Sequence, residues 1–200
     1  MSDEPINEAL DQVRRMQALV GDQLRFKGFS ARARMAGGCV ALLGALGLML
    51  LNRPHTPLLH LAGWGLVLIV AGGINYGALL LWLLDGGRVR RHTDWIPALE
   101  SLPPLAVGGA FTLAFVRAGL FDLLPAAWML CYGLAHMAFR RNLPLGVYIV
   151  GFFYLAAGAA CLLLPDVSFT DPRPMGLVFG FGEIAGGYAL LQRDATGVQS

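Results

Sequence analysis

Apolar and polar positions divide the chain into six long apolar blocks separated by short polar stretches. The blocks fall at about Met35–Leu51, Leu58–Leu84, Ala98–Val116, Leu120–Phe139, Leu143–Leu164 and Met175–Leu191. Each is near the ~17–25 residues that a membrane-spanning helix needs. The pattern predicts an all-α fold: a polytopic membrane helical bundle with six transmembrane helices. The second block is long enough to tilt or to run past the interface. Pro103-Pro104 predicts a kink near the start of the third. Pro144 opens the fifth block, where proline is tolerated, and Pro165 ends it.

Residues 1–34 are polar and carry a different pattern. Ile6, Leu10, Val13, Gln17, Val20 and Leu24 alternate spacings of four and three, which places them on one stripe of an amphipathic helix. Asp3, Glu4, Glu8 and Asp11 load its first turns with acid, where the helix dipole favours it. The first 24 residues hold five acids and two bases, a poor composition for binding anionic lipid. The stripe therefore points to pairing with another protein helix, in a partner or in a second copy. The expected organisation is a cytoplasmic amphipathic helix and basic juxtamembrane segment over 1–34, a transmembrane domain over 35–191, and a short tail over 192–200.

Composition agrees with the pattern. The chain of 200 residues is 56% hydrophobic and only 14% charged, with a mean hydropathy of +0.59. A soluble domain carries about a quarter charged residues. The distribution of charge sets an orientation. With the N-terminus inside, Arg14, Arg15, Arg25, Lys27, Arg32, Arg34, Arg88, Arg90, Arg91, Arg140, Arg141 and Arg193 are cytoplasmic, while Arg53, Arg117 and Arg173 are outside. Twelve against three is a strong positive-inside bias. It predicts a multi-pass protein of the cytoplasmic membrane with both termini cytoplasmic. Trp64, Trp82, Trp95, Trp128 and Tyr148 fall mostly near the block ends and read as interface anchors. There is no basic run with interleaved aromatics, so nucleic acid is not an expected partner.

The candidate chemistry centres on GLVFGFGEIAGGYALL, Gly176–Leu191, which holds one carboxylate, Glu183, among glycines. A charge in hydrocarbon costs ~2.5–3.5 kcal/mol or more, so Glu183 must face protein or stay protonated. One reading is a proton- or cation-binding site, with Asn75 and Tyr76 of the second block as companions. The other is a polar helix–helix contact satisfied by a Tyr hydroxyl or an Asn amide. His136 and Glu100 could pair near the cytoplasmic ends of their blocks, though a solvated or capping role is favoured. Cys39, Cys131 and Cys161 lack metal spacing and read as small buried hydrophobes. No HExxH, P-loop, GxSxG or zinc spacing occurs. Neither an enzyme nor a cofactor or metal is expected. AVGGAFTL at Ala106–Leu113 echoes IAGGYALL at Ile184–Leu191, as two inverted three-span units would, but glycine and alanine are common enough to explain the echo by chance.

Several landmarks occur in a set order: VRRMQAL at Val13–Leu19, SLPPLAVGGAFTLAFVRAGLFDLLPAAWMLCYG at Ser101–Gly133, LPLGV at Leu143–Val147 and GFGEIAGGYALLQR at Gly180–Arg193. In this the chain resembles an uncharacterised family of small bacterial six-span integral membrane proteins with an N-terminal amphipathic helix. The resemblance implies the architecture and brings no established activity. It also implies that histidine commonly stands where this chain has Glu183. The functional expectation is a non-enzymatic membrane module that associates with itself or with a cytoplasmic protein through its N-terminal helix. The alternative is a small transporter or channel using Glu183.

Overall fold

The computed structural model describes residues 29–51, 56–84, 102–138 and 144–197, with residues 12, 13, 16 and 99. The described residues form six α-helices and no strand: α1 (Ala31–Leu50), α2 (Pro57–Leu84), α3 (Leu102–Ala118), α4 (Leu124–Ala138), α5 (Leu145–Leu163) and α6 (Arg173–Gly197). Four of them, α1, α2, α5 and α6, are long and apolar enough to cross a membrane. The hydropathy blocks predict six. α3 and α4 have 17 and 15 residues, because a tight turn and a short 3₁₀ segment, Phe121–Leu123, take up the chain between them.

Local sequence explains the helix boundaries. Ser30 caps α1, its Oγ accepting from the Ala33 N–H at 3.3 Å. That cap starts the helix at Ala31, so Arg32 and Arg34 lie within it rather than in a separate basic segment. Thr56 caps α2 ahead of Pro57, with Thr56 Oγ1 accepting from Leu59 N at 3.3 Å. Pro103 and Pro104 occupy the first turn of α3, where their missing N–H groups have no intrahelical acceptor to lose. α3 ends on Gly119 at φ +72°, a left-handed conformation that favours glycine. Leu120 N then donates to Phe115 O at 2.8 Å and Gly119 N to Val116 O at 3.2 Å, closing the helix end.

The helices pack antiparallel in the neighbour order α2, α1, α6, α5, α4, α3. We call the end where α1, α3 and α5 begin the proximal end. Glycine lets the central pairs approach closely. A Cβ on Gly38 of α1 would stand 2.7 Å from the Gly180 carbonyl oxygen of α6. One on Gly133 of α4 would stand 2.9 Å from the Gly151 carbonyl oxygen of α5. In lipid, apolar side chains gain nothing from leaving solvent, so such backbone-to-backbone packing does much of the work of association.

The distal half is closed by an apolar plug. Phe169, in the α5–α6 connection, is fully buried against Phe121, Trp128 and His60, with Ala45, Leu48, Trp64, Leu124, Met129 and Met175 in the same cluster. Asp122 fixes the plug, its Oδ1 accepting from Phe169 N at 2.7 Å and from Ser168 Oγ at 3.2 Å. This cluster corrects two of the interface anchors. Trp64 is buried within it, and Trp128 donates its Nε1–H to Thr112 Oγ1 at 2.7 Å between α4 and α3. The outward surface is apolar by contrast, with Leu66, Leu68, Ile69 and Leu81 all exposed on α2. That is a membrane bundle's exterior rather than a water-facing one.

Two outcomes follow from the packing. Gly38→Ala is expected to lower stability by about 1–3 kcal/mol, since the clash is with backbone, whereas Gly73→Ala, at a site open to the exterior, stays within about 0.5 kcal/mol; thermal unfolding in detergent measures both. At the start of α6, Asp171 accepts from the Arg173 guanidinium and from its backbone N–H, at 2.8–3.0 Å. The Arg173 side-chain hydrogen bonds hold the Asp171 carboxyl below its usual 3.8. A depressed carboxyl stabilises the fold above its ordinary value and loses that contribution as pH falls through the folded one. Asp171→Asn should therefore lower the unfolding midpoint slightly at neutral pH, with the gap to wild type closing in acid.

Candidate functional site

Glu183 lies in the third turn of α6 and is buried. Its Oε1 accepts three hydrogen bonds from three other helices: from Arg34 Nη2 of α1, Tyr132 Oη of α4 and Tyr154 Oη of α5, each at 3.0 Å. Arg34 and Glu183 form an ion pair with both side chains about nine-tenths buried. A second Arg34 contact runs from Nη2 to His136 Nε2, and His136 Nδ1 donates to the Tyr132 carbonyl oxygen at 2.8 Å. The rings of Tyr132, His136 and Tyr154 stand 4.7–5.3 Å apart by centroid and enclose the charges.

The glycines around Glu183 acquire individual reasons. A Cβ on Gly182 would overlap the Tyr154 phenol, at 2.5 Å from Cζ. A Cβ on Gly186 would stand 2.5 Å from Arg34 Nε and 2.7 Å from Cζ. Gly182 is thus the seat of one donor to Glu183 and Gly186 the seat of another. Arg34 Nε, buried over Gly186, has no hydrogen-bond partner among the described residues. The network is otherwise matched: one cation, one anion, and donors converging on the anion. A buried charge in low dielectric tolerates no less.

The proposed companions of Glu183, Asn75 and Tyr76, border the network, Asn75 beside Arg34 and Tyr76 near Tyr132. Asn75 Nδ2 donates to the Ala71 carbonyl at 2.9 Å and to that of Ala33 at 3.4 Å, so it ties α2 to α1 beside Arg34. Tyr76 is half exposed. His136 is buried and partnered by Arg34, while Glu100, its suggested partner, lies outside the described residues. Of the N-terminal stripe, Val13 is described, helical and 46% exposed; Ile6, Leu10, Val20 and Leu24 lie outside the described residues.

Arg34, Tyr132 and Tyr154 are the residues that sequence reasoning passed over as members of the site. Arg34 had a signal: with Ala31, Gly38, Ala41 and Ala45 it repeats at spacings of three and four, on the helix face that α6 covers. Tyr132 and His136, four apart on α4, share a face in the same way. Among the described residues no group of three His, Cys, Asp or Glu could hold a metal ion.

Removing one partner of a buried ion pair leaves an uncompensated charge and typically costs about 3–5 kcal/mol, whereas removing both can be nearly neutral. Glu183→Met and Arg34→Met are each expected to destabilise strongly, and the double variant Arg34→Met/Glu183→Met to recover most of the loss. Unfolding of the four proteins in one detergent forms the double-mutant cycle, and additive losses would contradict a coupled pair.

No protein family, curated protein or solved structure compared with this chain matches it, so its site is interpreted from its own residues.

Proposed function

We propose that the chain is a six-span protein of the cytoplasmic membrane with both termini inside, and that it acts as a non-enzymatic module recruiting a protein partner, or a second copy, through its N-terminal helix. The six-span reading draws on the antiparallel α3–α4 hairpin, whose helices are about 25 and 22 Å long at 1.5 Å per residue. Orientation draws on the twelve-to-three bias of basic residues.

One observation carries the functional choice. The intramembrane carboxylate is spent on internal contacts, its Oε1 taking donors from α1, α4 and α5. A carrier needs a group that exchanges partners between substrate and protein, and this one is held by four helices at once. The distal half of the bundle is filled by the Phe169 cluster. Val13 of the N-terminal stripe, meanwhile, keeps its apolar side chain exposed on a helical residue. That exposed side chain supports the helix-pairing surface which the spacing of the stripe predicts.

Purification in mild detergent, full-length beside a chain lacking residues 1–30, tests this reading. The expected result is a dimer or a stoichiometric partner only with the full-length chain, while the shortened protein keeps its helical content and thermal midpoint. Association that survives the deletion overturns it. A proton- or cation-driven flux in liposomes that Glu183→Gln abolishes would replace it with a transport function.

A further inference from the structure

The hydrogen bonds around His136 define its protonation. The Tyr132 carbonyl can only accept, so His136 Nδ1 carries a hydrogen. Arg34 Nη2 can only donate, so Nε2 presents its lone pair. The ring is therefore the neutral Nδ1–H tautomer, and Arg34 is shared between two acceptors, His136 Nε2 and Glu183 Oε1. A proton on Nε2 would turn an acceptor into a donor aimed at a donor and set two cations side by side. Arginine does not yield its proton, so the contact would have to break.

We propose that His136 is a proton-operated latch between α1 and α4, responding to pH on the proximal side of the bundle. Closed, it holds the start of α1 through Arg34. Protonated, it expels the guanidinium, and α1 is left with its ion pair to α6 and its contacts to α2.

The groups facing His136 allow this and no simple escape. From α1 it meets Arg34, a fixed cation. From α5 it meets the Tyr154 ring at 5.3 Å and the backbone at Gly151. From its own helix it meets the Tyr132 ring at 4.7 Å. On α6 the nearest anion, Glu183, already accepts from Arg34, Tyr132 and Tyr154 at its Oε1. On α2, Tyr76 interacts with the far side of Tyr132. The described part of α3 holds one titratable or charged residue, Arg117, at the distal end. No second carboxylate among the described residues stands ready to receive a histidinium.

The proximal end is the nearer route for a proton. His136 lies two residues from the end of α4, about 3 Å along the axis, and Arg34 three residues from the start of α1. The Phe169 cluster fills the opposite half. The latch itself does not depend on the recruitment function.

The test follows amide exchange of Ala31–Met35 in the full chain in lipid nanodiscs, normalised to the intrinsic rate at each pH, from about pH 7.5 down to about pH 5. One proton taken up on opening raises the opening constant about tenfold per pH unit below the free-imidazole value of ~6.5, so roughly 30-fold by about pH 5. His136→Gln offers Arg34 an amide oxygen that does not titrate, and its normalised exchange should be flat over the same range. A flat wild-type profile overturns the proposal without any variant. So does a His136→Gln profile with the wild-type slope, since a merely structural histidine would leave that slope unmoved.

Discussion

The Arg34–Glu183 ion pair is the constraint on which the rest of the bundle depends. Two charges about nine-tenths buried must meet with good geometry, and they must be surrounded by donors and acceptors that leave little unmatched. Meeting that requirement draws in Tyr132 and Tyr154 as donors and His136 as the second acceptor for Arg34. It also dictates where bulk is forbidden. Gly182 and Gly186 flank the carboxylate because a phenol and a guanidinium occupy the space their side chains would fill. The glycine-rich character of α6 is thus a consequence of what surrounds Glu183, and Gly176, Gly180 and Gly187 extend the same close contact along α1.

The two halves of the bundle use opposite physics. The proximal half is held by directional bonds, which have one satisfactory arrangement and so define which helices meet. The distal half is held by shape: Phe169 folds back from a loop among Trp64, Trp128, Leu124 and Met129, pinned by the Asp122 carboxylate. Shape-based packing of this kind gains from dispersion and tolerates small adjustments. An ionic network does not, because each lost partner leaves a desolvated group behind. Change of state is therefore to be sought at the proximal end, where a single proton alters the count of donors and acceptors.

This division also organises the functional argument. A group that binds and releases a substrate must have an arrangement to go to, and Glu183 Oε1 is already engaged by Arg34, Tyr132 and Tyr154. His136 differs, because its alternative state is a proton away and it lies two residues from the end of α4.

The amino-acid sequence by itself determined the all-α character, the places of the apolar helices to within a few residues, and the start of α5 at Pro144. These are legible because length, apolarity and capping are properties of neighbours in the chain. Hydropathy also singled out Glu183, since a carboxylate inside an apolar block is conspicuous, and it anticipated a Tyr hydroxyl as a way to satisfy it. Only the tertiary structure decided which residues answer that charge. Arg34, Tyr132 and Tyr154 lie 149, 51 and 29 residues from Glu183, on three different helices. Arg34 looked like one basic residue among several before the first span. Periodicity reports which face of a helix is buried but not which helix buries it. In a bundle whose exterior is as apolar as its interior, hydrophobicity does not distinguish the two, so partnership is settled by close glycine packing and matched polar groups in three dimensions.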